Sequence, residues 1–114
     1  MHEVSLTGNI LQLVKDTARR EHFSRVTRLR LEAGALCGVE ISALRFALES
    51  LVPGTCLDGS AIDIDEPAAS AWCMGCSSTV HIRARGQACP DCGSYQIQPT
   101  GGTELRVVDM NVVD

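Results

Sequence analysis

The sequence predicts an α+β fold, with two helices packed on a three-stranded sheet and a four-cysteine zinc-ribbon subdomain inserted before the last strand. Three observations carry this prediction. Two segments repeat their apolar residues at helical spacing, three segments read as strands, and two Cys-x-x-Cys knuckles lie between the second and third of those strands. Each helix and the sheet has one apolar face to hide, and stacking them in two layers hides all of them.

From Glu3 to about Arg20 the apolar residues Leu6, Ile10, Leu13, Val14 and Ala18 form one stripe, with Lys15, Asp16, Arg19 and Arg20 outside it. Gly8 falls inside this pattern and costs roughly 1 kcal/mol relative to Ala, which predicts loose first turns. Val26 to Ala33 alternates, with Thr27, Leu29, Leu31 and Ala33 on one face and Arg28, Arg30 and Glu32 on the other, the signature of a half-buried strand. After the turn bracketed by Gly34 and Gly38, the residues Ile41, Leu44, Ala47, Leu48 and Leu51 return to helical spacing until Pro53-Gly54 stops them. Ala61 to Asp65 alternates as a second strand, and Leu105 to Val113 forms a third whose phase slips near Val107-Val108. The expected division is residues 1–68 plus 99–114 as one α+β domain and 69–98 as the metal-stapled subdomain.

With 114 residues the chain has room for one modest core, and 45% hydrophobic with 21% charged residues is an ordinary globular composition. A net charge of −4 argues against a partner held mainly through phosphates, which needs clustered Lys and Arg. No stretch is long and apolar enough to span a bilayer, and the N-terminus lacks a basic region leading into an apolar one, so the reading is cytoplasmic with no membrane partner. In a reducing compartment six cysteines point to metal rather than to disulfides. Cys37 and Cys56 stand apart from the rest and read as small buried hydrophobes.

The remaining four fall as Cys73-Met-Gly-Cys76 and Cys89-Pro-Asp-Cys92, with twelve residues between the knuckles, enough for a short hairpin. A Cys-x-x-Cys turn brings two thiolates to one ion, and the second pair completes the tetrahedron that Zn(II) prefers. Reading them as core cysteines instead requires four to fall at ribbon spacing by coincidence. Four thiolates leave no open position for water, so the zinc is structural and its binding supplies folding free energy to a segment with little core of its own. Gly93 suits a turn needing positive φ, and Pro90 fixes the approach to it. His81, between the knuckles, and His22, after the first helix, read as a strand and a helix-end side chain.

The first three residues, Met1-His2-Glu3, contain a second chelating pattern. A free α-amine, the His2 amide nitrogen and the His2 imidazole close adjoining rings around one metal, and the Glu3 amide or carboxylate offers a fourth donor. Such nitrogen-rich planar sets suit Ni(II) or Cu(II) rather than Zn(II).

Several motifs occur together: Met1-His2-Glu3 with Ser5-Leu6, Leu36-x-Gly38-Val39-Glu40, Ala43-Leu44-Arg45-Phe46-Ala47, Ala71-Trp72-Cys73-x-x-Cys76, Cys89-Pro90-x-Cys92-Gly93-Ser94 and Glu104-Leu105. In this combination the whole chain resembles the HypA/HybF family of hydrogenase maturation proteins. The resemblance implies a nickel metallochaperone, not an enzyme, that carries Ni(II) as transient cargo toward [NiFe]-hydrogenase and in some relatives urease. It implies nickel ligands at Met1, His2 and Glu3 and zinc ligands at Cys73, Cys76, Cys89 and Cys92. It also implies a HypB-type GTPase and the hydrogenase large subunit as partners, with the chain itself a monomer or weak homodimer. Two features depart from the family pattern, Cys37 in place of a small polar residue and the weakly helix-favouring Thr7-Gly8-Asn9, and neither touches a proposed ligand.

Two other readings compete. A zinc-ribbon module for nucleic acid draws on Arg83 and Arg85, but the acidic stretch from Asp58 to Glu66 and only four aromatic residues oppose it. A thiol-disulfide enzyme needs one knuckle at a helix N-terminus within a βαβ unit, a context these knuckles lack.

Overall fold

The computed structural model describes the backbone from Glu3 to Asp114 and side chains from Ser5 onward. In chain order the elements are α1 (Glu3–Glu21), β1 (Arg25–Ala33), α2 (Ile41–Leu51), β2 (Ala61–Asp65), β3 (Ala69–Cys73), β4 (Ser78–Ile82), β5 (Ile97–Pro99) and β6 (Leu105–Val113). Two three-stranded sheets result, one ordered β2-β1-β6 and the other β4-β3-β5. The α+β class with two helices is as the sequence predicts. The chain forms two compact units, Met1–Leu31 with Val39–Ile64 and Val107–Asp114, and Glu32–Gly38 with Asp65–Arg106.

In the first unit α1 and α2 pack on one another. The buried stripe of α1 is Thr7, Ile10 and Val14, at i, i+3 and i+7, whereas Leu13 is 48% exposed. Ile10 and Val14 lie inward as predicted, while Thr7 takes the innermost place beside a half-buried Leu6; no buried side-chain N or O among the described residues lacks a hydrogen-bond partner. Gly8 is open to solvent and does not interrupt the helix. In α2 the inward residues are Leu44, Ala47 and Leu48, and the Glu40 carboxylate caps its N-terminus by accepting from the Ser42 amide and hydroxyl. Those two bonds hold the Glu40 carboxyl below its ordinary pKa.

On β1, Leu29 and Leu31 are fully buried as the alternation predicts, but Thr27 is exposed and Val26 takes the inward position. Thr27 and Arg28 are consecutive exposed residues, so the strand slips by one position there. The outward side chains of this unit pair across strands, Arg28 with Asp63 at 2.7 Å and Arg30 with Asp109 through two bonds of 3.0 and 2.8 Å. These contacts are exposed and fix register more than they add stability. The expected slip in β6 is present, since Val107 and Val108 are both half-buried.

The second unit is built on β3, which pairs antiparallel with β4 on one side and β5 on the other. Its core is Leu36, Ala69, Ala71, Cys73, Val80, Ile82 and Cys89, with Ile97 packed against it. Leu36 arrives on a strap held by backbone bonds from Gly34 to Glu104 (3.0 Å), Ala35 to Pro67 (2.9 Å) and Leu36 to Gly102 (2.8 Å). No helix among the described residues is long and apolar enough to cross a membrane.

Candidate metal centre

The β3–β4 hairpin turns at the first knuckle itself. Cys73 ends β3, its Cα partner Ser78 begins β4, and Met74-Gly75-Cys76-Ser77 makes the turn between them. The hairpin expected between the knuckles is therefore formed one step earlier, and residues 83–88 simply lead on to the second knuckle. That knuckle closes on itself through Cys89 N–H to Ser94 O (2.8 Å) and Gly93 N–H to Cys89 O (2.9 Å). In each knuckle the residue after the second cysteine is left-handed, Ser77 at φ 50° and Gly93 at φ 77°.

These turns bring the Sγ atoms of Cys73, Cys76, Cys89 and Cys92 within 4.8 Å of one another. Cys73 lies 3.6 Å from Cys92 and Cys76 lies 3.8 Å from Cys89, both across the knuckles. A tetrahedron with Zn–S bonds of about 2.3 Å has sulfur–sulfur edges of about 3.8 Å. The donor set and its spacing thus fit a zinc ion, and all six cysteines are free of disulfides. Gly75 is required by the packing: a Cβ there would lie 2.7 Å from Ser94 Cβ and 3.0 Å from Cys92 Sγ.

The electrostatics of the metal-free cluster follow from who donates to whom. The Cys76 amide donates to Cys73, and despite burial the neighbouring thiols add to this, bringing Cys73 down to about 7. The Ser94 amide pulls Cys92 down, but the Cys73 thiolate, burial, Cys89 and Cys76 outweigh it and push Cys92 up to about 12. The Ser78 hydroxyl likewise lowers Cys76, which Cys73, burial and Cys89 raise on balance. One sulfur ionises readily and then opposes the next, so a cation is needed to hold several thiolates together.

Other predicted positions behave differently. Met1 and His2 lie outside the described residues; Glu3 opens α1, but its side chain also lies outside them. His81 is an exposed side chain on β4 opposite Ser70, and His22 is exposed just past α1. Cys37 and Cys56 are half-buried thiols rather than core hydrophobes. Sequence reasoning missed Ser78 and Gly75 as neighbours of the cluster. A signal exists in the repeated Cys-x-Ser of Cys76-Ser77-Ser78 and Cys92-Gly93-Ser94.

A closed four-thiolate cluster on a small ribbon leaves no open position for water and so defines a site that holds metal structurally. Residues 1–112 match the family described as "Hydrogenase/urease nickel incorporation, metallochaperone, hypA". The chain is 66% identical over 114 residues to "Hydrogenase maturation factor HypA" of Polaromonas naphthalenivorans (strain CJ2), covering 100% of this chain and 99% of that protein. It is 61% identical to the protein of the same name from Cupriavidus necator, covering 100% and 96%. Among solved structures, the solution structure of the Ni metallochaperone HypA from Helicobacter pylori shares the fold at a TM-score of 0.70 and 21% identity, covering 99% and 98% of the two chains. The chain belongs to the HypA family of nickel-incorporation metallochaperones, whose members are hydrogenase maturation factors and not catalysts.

Proposed function

We propose that the chain carries Ni(II) on an N-terminal chelate made by the Met1 amine, the His2 amide and imidazole, and a Glu3 donor, and keeps Zn(II) resident on Cys73, Cys76, Cys89 and Cys92. The first unit is then the nickel-bearing domain and the ribbon a zinc-stapled insertion. The observation that carries the nickel assignment is histidine at position 2 in a family match that starts at residue 1. A carrier must surrender its metal as well as bind it, which favours a terminal chelate over a buried cage. Because the amine and imidazole must shed protons to bind, nickel affinity falls as pH falls, and acidification promotes release.

The zinc site, when loaded, supplies a fixed tetrahedral staple that holds the two knuckles together. Hydrogenase maturation sets the context, and within it the partners are a HypB-type GTPase and the hydrogenase large subunit, in the cytoplasm. The nucleic-acid reading has no support in the family match.

Nickel titration by calorimetry tests the chelate. The zinc-loaded protein is compared with His2→Ala and with a variant extended by one residue before Met1. Loss of stoichiometric binding in both variants is the expected result. Equal binding by all three proteins sinks the N-terminal site.

A further inference from the structure

The four sulfurs of the cluster are not supported alike. Cys73 accepts from the backbone amide of Cys76, Cys89 from that of Asp91 at 3.4 Å, and Cys92 from that of Ser94. Such amides are part of the knuckle turn and come with any side chain. Cys76 is the exception, because its donor is the side-chain hydroxyl of Ser78, 3.2 Å from Sγ. A zinc-bound thiolate has no proton to give, so with metal present the Ser78 O–H is the donor and the sulfur the acceptor.

Of the four ligands, Cys76 and Cys92 are exposed, whereas Cys73 and Cys89 are buried. A hydrogen bond to a metal thiolate draws off electron density, which lowers its reactivity toward protons and electrophiles, and it orients the sulfur toward the ion, which slows its departure. Ser78 is held to this task from two sides. It is half-buried, and as the first residue of β4 it is paired in register with Cys73, so its backbone cannot drift from the cluster.

We infer that Ser78 is a positioning residue that guards Cys76, and that Cys76 is the one ligand whose hold on the metal is set by a side chain and so can be tuned by a single substitution. The inference rests on the zinc reading given above. Removing the hydroxyl leaves Cys76 an exposed thiolate without its donor, and the coordination shell opens there first.

The test uses the full-length zinc-loaded protein with Ser78→Ala and Ser78→Thr. Zinc transfer to an excess of chromophoric chelator gives a rate. Iodoacetamide followed by mass spectrometry gives the order of modification, each event forming a C–S bond as iodide leaves. Outer-shell partners of metal ligands are worth about 10–100-fold in metal affinity, so Ser78→Ala should release zinc about tenfold faster. Among the four zinc ligands, counted apart from the free thiols Cys37 and Cys56, it should also move the first alkylation toward Cys76, and Ser78→Thr, which keeps the hydroxyl on a strand-favouring residue, should restore both. A merely structural role for Ser78 predicts no such shift in the site of alkylation. Zinc retained with rates changed by less than about twofold overturns the role of Ser78 alone. A wild-type protein that holds no stoichiometric zinc overturns this inference together with the zinc reading beneath it.

Discussion

The two units of this chain close their cores by different means. In the first, Leu29, Leu31, Leu44, Leu48 and Leu57 are fully buried together with Val14 and Val26. In the second, only Leu36, Val80 and Ile82 among the core residues are large aliphatics; the others are Ala69, Ala71 and two of the metal-gathering cysteines, Cys73 and Cys89. The first unit can exclude water with hydrocarbon alone. The second buries too little apolar area for its length and places ligands where side chains of a core would otherwise meet, which is the composition of a module that folds around an ion.

Removing zinc should separate the two most sharply. Structural zinc in small modules is worth about 10–16 kcal/mol in apparent terms, more than most whole domains have to spare. A strong chelator, or Cys73→Ser, should abolish amide protection at Val80 and Ile82 while Leu29 and Leu31 stay protected. Hydrogen exchange read by NMR checks this. Simultaneous loss at both places would show that the cores are not independent in their means of closure.

The reverse experiment acts on the first unit. Leu44 and Leu48 are fully buried on α2, and truncating a buried leucine costs about 2–5 kcal/mol. Leu44→Ala should lower the melting temperature of the first unit substantially while zinc stoichiometry stays at one per chain. If zinc were lost with Leu44, the metal-based account of the ribbon would be wrong.

Proton competition sharpens the comparison further. Metal binding must displace every thiol proton, so zinc affinity rises with pH. Once zinc removal has unfolded the ribbon, its four ligand thiols are free ones with an ordinary pKa of about 8.5, so four protons leave for each ion bound well below that pH and fewer above it. The plot of log affinity against pH should therefore flatten above about 8.5. Competition titrations at a series of pH values check this, and a break near 7 instead would show that the metal-free ribbon keeps its knuckles folded, where the Cys76 amide brings Cys73 down to about 7. Urea unfolding of the first unit should show no such break.

The sequence was most legible where periodicity and spacing carry the signal. β2 and β6 fall where alternation puts them, α2 stops before Pro53-Gly54, and the four cysteines meet as two knuckles should. What escaped lies where a polar or small residue does a job that pattern rules assign to apolar ones. Thr7 fills an inward place on α1 while Leu13 lies at the surface, and the slip at Thr27-Arg28 gives the inward place to Val26. The strap Glu32–Gly38 joins the second unit through backbone bonds, for which sequence offers no periodic signature. The proposed chelate at Met1 and His2 rests on chemistry and family resemblance alone, since both residues lie outside those the structure describes.

The smallest expected effect compares one strained residue in each unit. His22 and Ser77 are the non-glycine residues with positive φ among those described, at 59° and 50°. His22 is the left-handed residue that ends α1, with the Phe23 amide reaching back to the Ala18 carbonyl at 3.1 Å, a position where glycine is preferred. Left-handed backbone costs an L-residue roughly 1–2 kcal/mol, and the extra freedom glycine has when unfolded cancels about half of that. His22→Gly should therefore stabilise the first unit by about 0.5–1 kcal/mol, visible as a rise in urea midpoint. Ser77→Gly relieves the same kind of strain, but Ser77 follows Cys76 directly in a turn that forms around the ion, so its benefit should appear as tighter zinc binding, with little gain in the urea midpoint of the zinc-loaded chain. Equal gains for the two substitutions in the zinc-loaded chain would mean that the ribbon, like the first unit, owes its turn to the backbone rather than to the ion.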